Sequence, residues 1–222
     1  MCGRFTLIAP GELIAGEFGL AAVPTVAPRY NIAPTQPVAA IRIDNAEERE
    51  LTYFHWGLIP FWATDIKMAS RMINARSETV AEKPAYRAAF KRRRCLVPAS
   101  GFYEWKKVNG GKQPVYIHPV NKEVMAIAGI WEQWHSDDGS EIESVSLLTT
   151  SPNERIKDIH NRMPVIIEQP DYSTWLDPSL EKGDVLFHLM RPIGSDFLDS
   201  YPVSTLVNNP RNDVAEVLEP AS

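Results

Sequence analysis

Along much of the chain runs one pattern, short apolar stretches that alternate with polar residues at a period of two or continue unbroken, and that pattern predicts strands. The segments that carry it are 3–8, 37–43, 51–56, 95–98, 101–107, 114–118, 124–134, 144–150 and 163–168. Asn109-Gly110-Gly111 stands between two of them and predicts a hairpin turn, since Asn and Gly tolerate the positive φ of a tight turn. Helical spacing is scarcer. Segment 10–18 ends at Gly19, suited to a left-handed C-cap, and segment 84–93 puts Tyr86, Ala89 and Phe90 on one face. Ser151-Pro152-Asn153-Glu154 reads as a helix start, with an N-cap, a first-turn proline and a first-turn acid, and predicts a short helix to His160. Segments 171–176 and 182–190 complete the set. Strands outnumber helices without alternating regularly with them, so the α+β class is expected. The expected architecture is mainly antiparallel strands forming a barrel-like core with short flanking helices. The 18 prolines are spread throughout and no linker or repeat divides the chain, so a single domain over 1–222 is expected.

Composition narrows the function classes. At 44% hydrophobic and 23% charged residues, the chain has enough apolar content to bury a core, which excludes disorder. No run approaches the ~18 apolar residues of a membrane span. The net charge of −5 counts against a nucleic-acid partner, but it is unevenly distributed. Residues 1–114 carry 16 Lys/Arg and 10 Asp/Glu, a balance of +6; residues 115–222 carry 7 and 18, a balance of −11. Segment 61–114 is the most basic, with 12 cations against 4 anions. Either the charges interleave in space and cancel, or the basic half holds a localised polyanion site.

Cys2 and Cys95 are the only cysteines, a usage that fits a reducing compartment and a cytoplasmic location. The N-terminus lacks the long apolar stretch of a signal peptide. The five histidines are far apart and show no metal-ligand spacing, so neither a metal nor another cofactor is expected. Cys2 carries chemistry of its own. Initiator Met is usually removed when residue two is small, which would leave an α-amine and a thiol on one residue. An α-amine has a pKa of about 7.7–8, so a useful fraction is nucleophilic at neutral pH. Such a 1,2-aminothiol condenses with an aldehyde to a Schiff base, which sulfur then closes to a five-membered thiazolidine. An incidental early cysteine is the alternative.

Four further stretches combine reactive residue types. In Asn74-Ala75-Arg76-Ser77-Glu78-Thr79, Asn74 can donate and accept while Arg76 can fork onto a phosphate; the same stretch also reads as a capped turn or helix start. In Gly101-Phe102-Tyr103-Glu104-Trp105-Lys106, alternation sets Glu104 among aromatics on a strand, either paired or pKa-shifted on an inner face, or exposed. His160-Asn161-Arg162 offers a neutral-pH proton shuttle beside a cation; a dipole-stabilised His at a helix end is the alternative. The loops 29–35 and 56–62 mix aromatics with cations or prolines, a combination that grips single strands, although Trp56 and Trp62 also suit a core. Lys91-Arg92-Arg93-Arg94 reads as a solvated helix end or a phosphate-binding rim. The loop 65–71 has no assigned role.

These stretches matter most through their order. Met1-Cys2-Gly3-Arg4-Phe5, Arg29-Tyr30-Asn31-Ile32-Ala33-Pro34-Thr35, Trp56-Gly57-Leu58-Ile59-Pro60, Asn74 to Thr79, Arg93-Arg94-Cys95-Leu96-Val97-Pro98, Gly101 to Trp105 and His160-Asn161-Arg162-Met163-Pro164 follow one another along the chain. In this the sequence strongly resembles the SOS response-associated peptidase (SRAP) family, also described as abasic-site processing proteins, from residue 2 to about 210. The resemblance implies covalent capture of abasic sites in single-stranded DNA. It assigns Cys2 as nucleophile, amine first and thiol second. It gives Asn74 the task of orienting the opened sugar and the Cys2 backbone, Glu104 that of proton transfer, and His160 that of assisting sugar-ring opening. Arg76 and Arg162 would hold flanking phosphates, Arg4 and Asn31 would support DNA binding, and Trp62 and Pro34 would stack or wedge beside displaced bases. It also implies autoproteolytic exposure of Cys2 and a lyase side activity through the Schiff base. The expected partner is single-stranded DNA containing abasic sites, bound by a monomer with no membrane involved and nucleoid-associated when on DNA. Two other functions stay open: a Cys-His peptidase acting on proteins, pairing Cys2 with His160, and a non-catalytic single-strand DNA module.

Overall fold

The computed structural model of the protein describes residues 2–136, 139–181 and 184–221. Met1, whose removal the amine chemistry requires, and Lys182, the expected start of the last helix, lie outside the described residues. In chain order the elements are β1 (Phe5–Leu7), α1 (Gly11–Phe18), β2 (Arg29–Ile32), β3 (Pro37–Ile43), β4 (Arg49–Trp56), β5 (Asn74–Arg76), α2 (Arg87–Arg92), β6 (Arg94–Ala99) and β7 (Gly101–Val108). They continue with β8 (Gly111–Pro119), β9 (Met125–His135), β10 (Glu141–Thr150), β11 (Met163–Pro164), β12 (Ile166–Ile167), α3 (Tyr172–Leu176), α4 (Asp184–Leu189) and β13 (Leu198–Pro202). Among the described residues no helix is long and apolar enough to cross a membrane.

The strands form two sheets around a main hydrophobic core, with two smaller apolar clusters beside it. One sheet is antiparallel, in the order β13-β8-β7-β1-β2. The other closes on itself. β4, β3, β6 and β9 pair antiparallel in that order; β10 then joins β9 antiparallel and β4 in parallel. The result is a closed five-stranded mixed barrel, and the α+β class with a barrel core is as the sequence predicts. Ile41, Phe54, Trp56, Leu96, Val97, Ile127, Ile130, Val145 and Leu147 are fully buried within this core. Each such large side chain contributes about 1.5–3 kcal/mol by leaving water. Strands approach closely at Gly129, where an added Cβ would stand 2.7 Å from the Cys95 sulfur and 3.1 Å from Val145.

Several expected elements change. Segment 151–160 forms successive turns, not a helix. Asn153 accepts from the Ile156 amide at 3.1 Å as a cap should, but its side-chain amide is committed to the Ile193 carbonyl at 3.0 Å. With Ile156 also fixed in the core, these tertiary anchors outweigh the local helix signal. Segment 163–168 splits into β11 on β10 and β12 on β9. Between them the Val165 amide donates to the Leu148 carbonyl, while its own carbonyl accepts from Ala128. Loop 29–35 contains β2, and loop 65–71 contains a 3-10 helix (Ile66–Arg71) whose cap, Asp65, accepts from the Lys67 amide at 2.8 Å. Ser77-Glu78 starts a turn and not a helix. Arg94, expected on a solvated helix end, is buried. Its guanidinium caps the last carbonyls of α2, at Phe90 (2.6 Å) and Lys91 (2.8 Å), and reaches the Trp175 carbonyl at 2.7 Å.

Candidate functional site

The chain reaches the site from its N-terminus. β1 pairs with β7 in the register Phe5 to Phe102, and the Tyr103 amide donates to the Arg4 carbonyl at 2.9 Å. Continuing this register sets Glu104 beside Gly3 and next to Cys2. Both side chains are buried, Cys2 completely and Glu104 with 2% exposed. Glu104 is therefore on an inner face, and the alternative of an exposed strand residue is excluded. β7 becomes exposed only from Lys106 onward.

β5 brings the third residue. It lies parallel to β10, with Asn74 opposite Leu147, Ala75 opposite Leu148 and Arg76 opposite Thr149. From this position the Asn74 side-chain amide donates to the Cys2 carbonyl at 2.8 Å. The Tyr86 hydroxyl donates to the Asn74 carbonyl at 3.3 Å. The Asn74 side-chain oxygen is buried and has no hydrogen-bond partner, which leaves an acceptor open at this point.

His160 comes from the turns after β10. Its Nδ1 lies 3.8 Å from the Glu104 carboxylate. The same nitrogen is 3.1 Å from both the amide and the carbonyl of Arg162. A neutral ring can accept there from the amide, and a protonated one can donate to the carbonyl. The local turn thus orients the imidazole in either state.

Burial sets the electrostatics. It pushes the Glu104 carboxyl above the usual carboxylate range, opposed in part by the positive charge of a protonated His160. It also pushes the Cys2 thiol up, with the Glu104 charge adding to the effect. The thiol is therefore held neutral, beside a carboxyl group that retains its proton to higher pH than usual. Together these groups can pass a proton between Glu104, His160 and an acceptor at Cys2.

The remaining predicted residues divide. Arg162 forks onto Glu78, with Nη1 at 2.5 Å from one oxygen and Nη2 at 2.9 Å from the other, and Nη2 also reaches the Thr149 carbonyl at 2.5 Å. Arg76 is exposed at the end of β5. Trp62 is 48% exposed, whereas Trp56 is fully buried, packed edge-on against Phe5 and donating to the Ile73 carbonyl at 2.9 Å. Pro34 is half-buried beside Thr35, whose φ is 70°.

Asn31 is buried, and its amide donates to the carbonyls of Val207 (3.2 Å), Asn209 (3.1 Å) and Asn212 (2.8 Å). Arg4 donates to the Asn31 side-chain oxygen and to Val207, both at 2.7 Å. These two side chains hold the C-terminal segment onto β2. Sequence reasoning gave Tyr86, Thr149 and Glu78 no site role. Glu78 could have been found, since it stands two residues after Arg76 in a stretch already marked for its chemistry. Among the described residues, no group of three or more His, Cys, Asp and Glu side chains converges as a metal site.

Comparison with known proteins places the chain in a family. The family model described as SOS response associated peptidase (SRAP) matches residues 1–210. The chain is similar to the abasic site processing protein YoaM of Bacillus subtilis (strain 168), 41% identical over 99% of this chain and 98% of that one. It is 33% identical to the abasic site processing protein HMCES of Gallus gallus, over 87% of this chain and 66% of that one. A crystal structure of a protein from Bacteroides thetaiotaomicron superposes with a TM-score of 0.88 at 27% identity, covering all of both chains. The chain belongs to the SOS response associated peptidase (SRAP) family.

Proposed function

We propose that this protein processes abasic sites in DNA by capturing them covalently in single strands, through the α-amine and thiol of Cys2 once Met1 has been removed. One observation supports this most directly. Asn74 holds the Cys2 backbone at 2.8 Å in the same buried place where Glu104 and His160 stand 3.8 Å apart. Membership in a family whose relatives are named abasic site processing proteins supports the substrate.

The chemistry balances with these residues alone. His160 gives a proton to the ring oxygen while the C1′ hydroxyl gives up its own to the Glu104 carboxylate, so that the deoxyribose opens to an aldehyde and the proton returns from Glu104 to His160, 3.8 Å away. The Cys2 amine adds to C1′, and the resulting carbinolamine loses water to form a Schiff base. The Cys2 S–H then adds across the C=N bond: sulfur bonds to C1′ and the proton reaches nitrogen, with Glu104 as carrier. The net change is aldehyde plus aminothiol to thiazolidine plus water. A carboxyl group whose pKa is raised by burial suits such two-way traffic. The same Schiff base allows β-elimination, the lyase side reaction. The Cys-His peptidase alternative needs a thiolate, and a thiol pushed upward by burial and by Glu104 disfavours it.

The test mixes the protein with a single-stranded oligonucleotide carrying one abasic site, then denatures. The expected result is a heat-stable protein–DNA adduct, absent in Cys2→Ala and absent when a tag precedes Cys2. An adduct that persists in Cys2→Ala overturns the proposal.

A further inference from the structure

The guanidinium of Arg162 already holds an anion. Its side chain is 15% exposed, and its two Nη atoms meet the two carboxylate oxygens of Glu78, a residue with a 50% exposed side chain. This paired arrangement is the one an arginine makes with two oxygens of a phosphate. The bonds from Arg162 are the main cause that holds the Glu78 carboxyl below its usual range, and the nearby charge of Arg76 adds to it. Glu78 thus stays ionised between two arginines on the rim of the site, and it cancels one of their two charges.

We infer that Glu78 is a specificity-determining residue: in the unbound protein its carboxylate occupies the Arg162 fork in place of a DNA phosphate and must yield before a strand can bind there. The inference rests on the single-strand capture proposed above. An intact strand gains only non-covalent contacts for displacing Glu78, so it is held weakly. A strand with an abasic site gains a covalent bond at Cys2, which holds it after the displacement. The displacement costs both strands the same, so Glu78 lowers the standing occupancy of undamaged DNA while capture of the lesion still runs to completion through the covalent step. This is discrimination by a competing internal anion, without any reading of bases.

The probe is a labelled, lesion-free oligothymidylate titrated into the full chain at several salt concentrations. Glu78→Gln, which keeps the side-chain shape, is expected to bind about five- to tenfold tighter at low salt. Its salt dependence should steepen by about 0.7, the slope for one more phosphate neutralised on a single strand. Arg162→Ala should bind more weakly than the parent, and the double variant Glu78→Gln with Arg162→Ala should match Arg162→Ala alone.

Unchanged affinity in Glu78→Gln overturns the inference. So does a gain that survives in the double variant, because the effect would then be a general loss of negative charge. Thermal melts establish that each variant is folded, and Glu78→Ala serves as a second neutral substitution with the same expected gain. The parent is assayed in parallel on the abasic oligonucleotide. An adduct there with no gain in Glu78→Gln removes the inference and leaves covalent capture standing. No adduct, together with an Arg162-dependent gain on intact DNA, removes covalent capture and supports the counter-ion role.

Discussion

A carboxyl group buried beside an imidazole makes its protonation a matter of both activity and stability. Glu104 has its pKa raised by burial, with His160 opposing. The native state then keeps a proton through a pH interval in which the unfolded chain, titrating near 4.5, has lost it. Native protein binds more protons there, so the stability contributed by this group falls as pH rises from the unfolded value through the native one. Glu104→Gln removes that dependence. Urea melts from about pH 4 to 7 should show the variant gaining on the parent as pH rises; a constant difference would contradict the burial argument. The same variant should form the DNA adduct about 10²- to 10⁴-fold more slowly, as expected for loss of a general acid–base. Asn74 poses a different question, since its 2.8 Å bond orients the Cys2 backbone. Asn74→Ala is expected to cost about 1 kcal/mol of stability. Adduct formation should slow while binding of an intact oligonucleotide is unchanged, as single-turnover kinetics beside a binding titration would reveal.

Short elements position these side chains, and short elements were the least legible in the sequence. β5 has three residues, too few to show a period, and its partner is 73 positions away at Leu147. β2 and β13, four and five residues long, carry no clear alternation or apolar run and were missed too, whereas the long strands β3, β9 and β10 announced themselves by alternation or unbroken apolar runs. The residue types of the site were legible because seven motifs fall in order. The burial of Glu104 was not, because alternation assigns a face without saying what covers it. Neither was the role of Glu78, whose partner Arg162 arrives from another part of the chain. Asn31 shows how tertiary context redirects a residue. It stands in a stretch expected to contact DNA, yet its amide meets three carbonyls of the C-terminal segment. Asn31→Ala should destabilise the protein by about 2 kcal/mol through those stranded acceptors. Hydrogen exchange should rise across 204–217, with adduct formation by the folded fraction little changed. Loss of DNA affinity without loss of stability would instead mark Asn31 as a DNA contact.

At the scale of the molecule, the barrel is the frame that keeps these parts in register. One close approach within it is at Gly129, packed against the Cys95 sulfur and Val145. Gly129→Ala is expected to cost about 1–3 kcal/mol by overpacking, read as a lower thermal midpoint. Cys95→Ala should return part of that loss, because it removes the sulfur that the new methyl would strike. On the proposed reading, the bulk net charge that counted against DNA matters less than the local charges of Arg76, Arg162 and Glu78.

Closure of the barrel has one more consequence. β3, β4 and β6 precede residue 121, while β9 and β10 follow it. Cys2, Asn74 and Glu104 lie in the first part and His160 in the second. A chain opened at Asn121 would yield one fragment of net charge +6 and another of −11. Neither could complete the barrel or bring Glu104 to His160, and their opposite charges would draw them together. Fragment complementation would therefore restore the fold and the reactive centre in a single event, and adduct formation would report on reassembly.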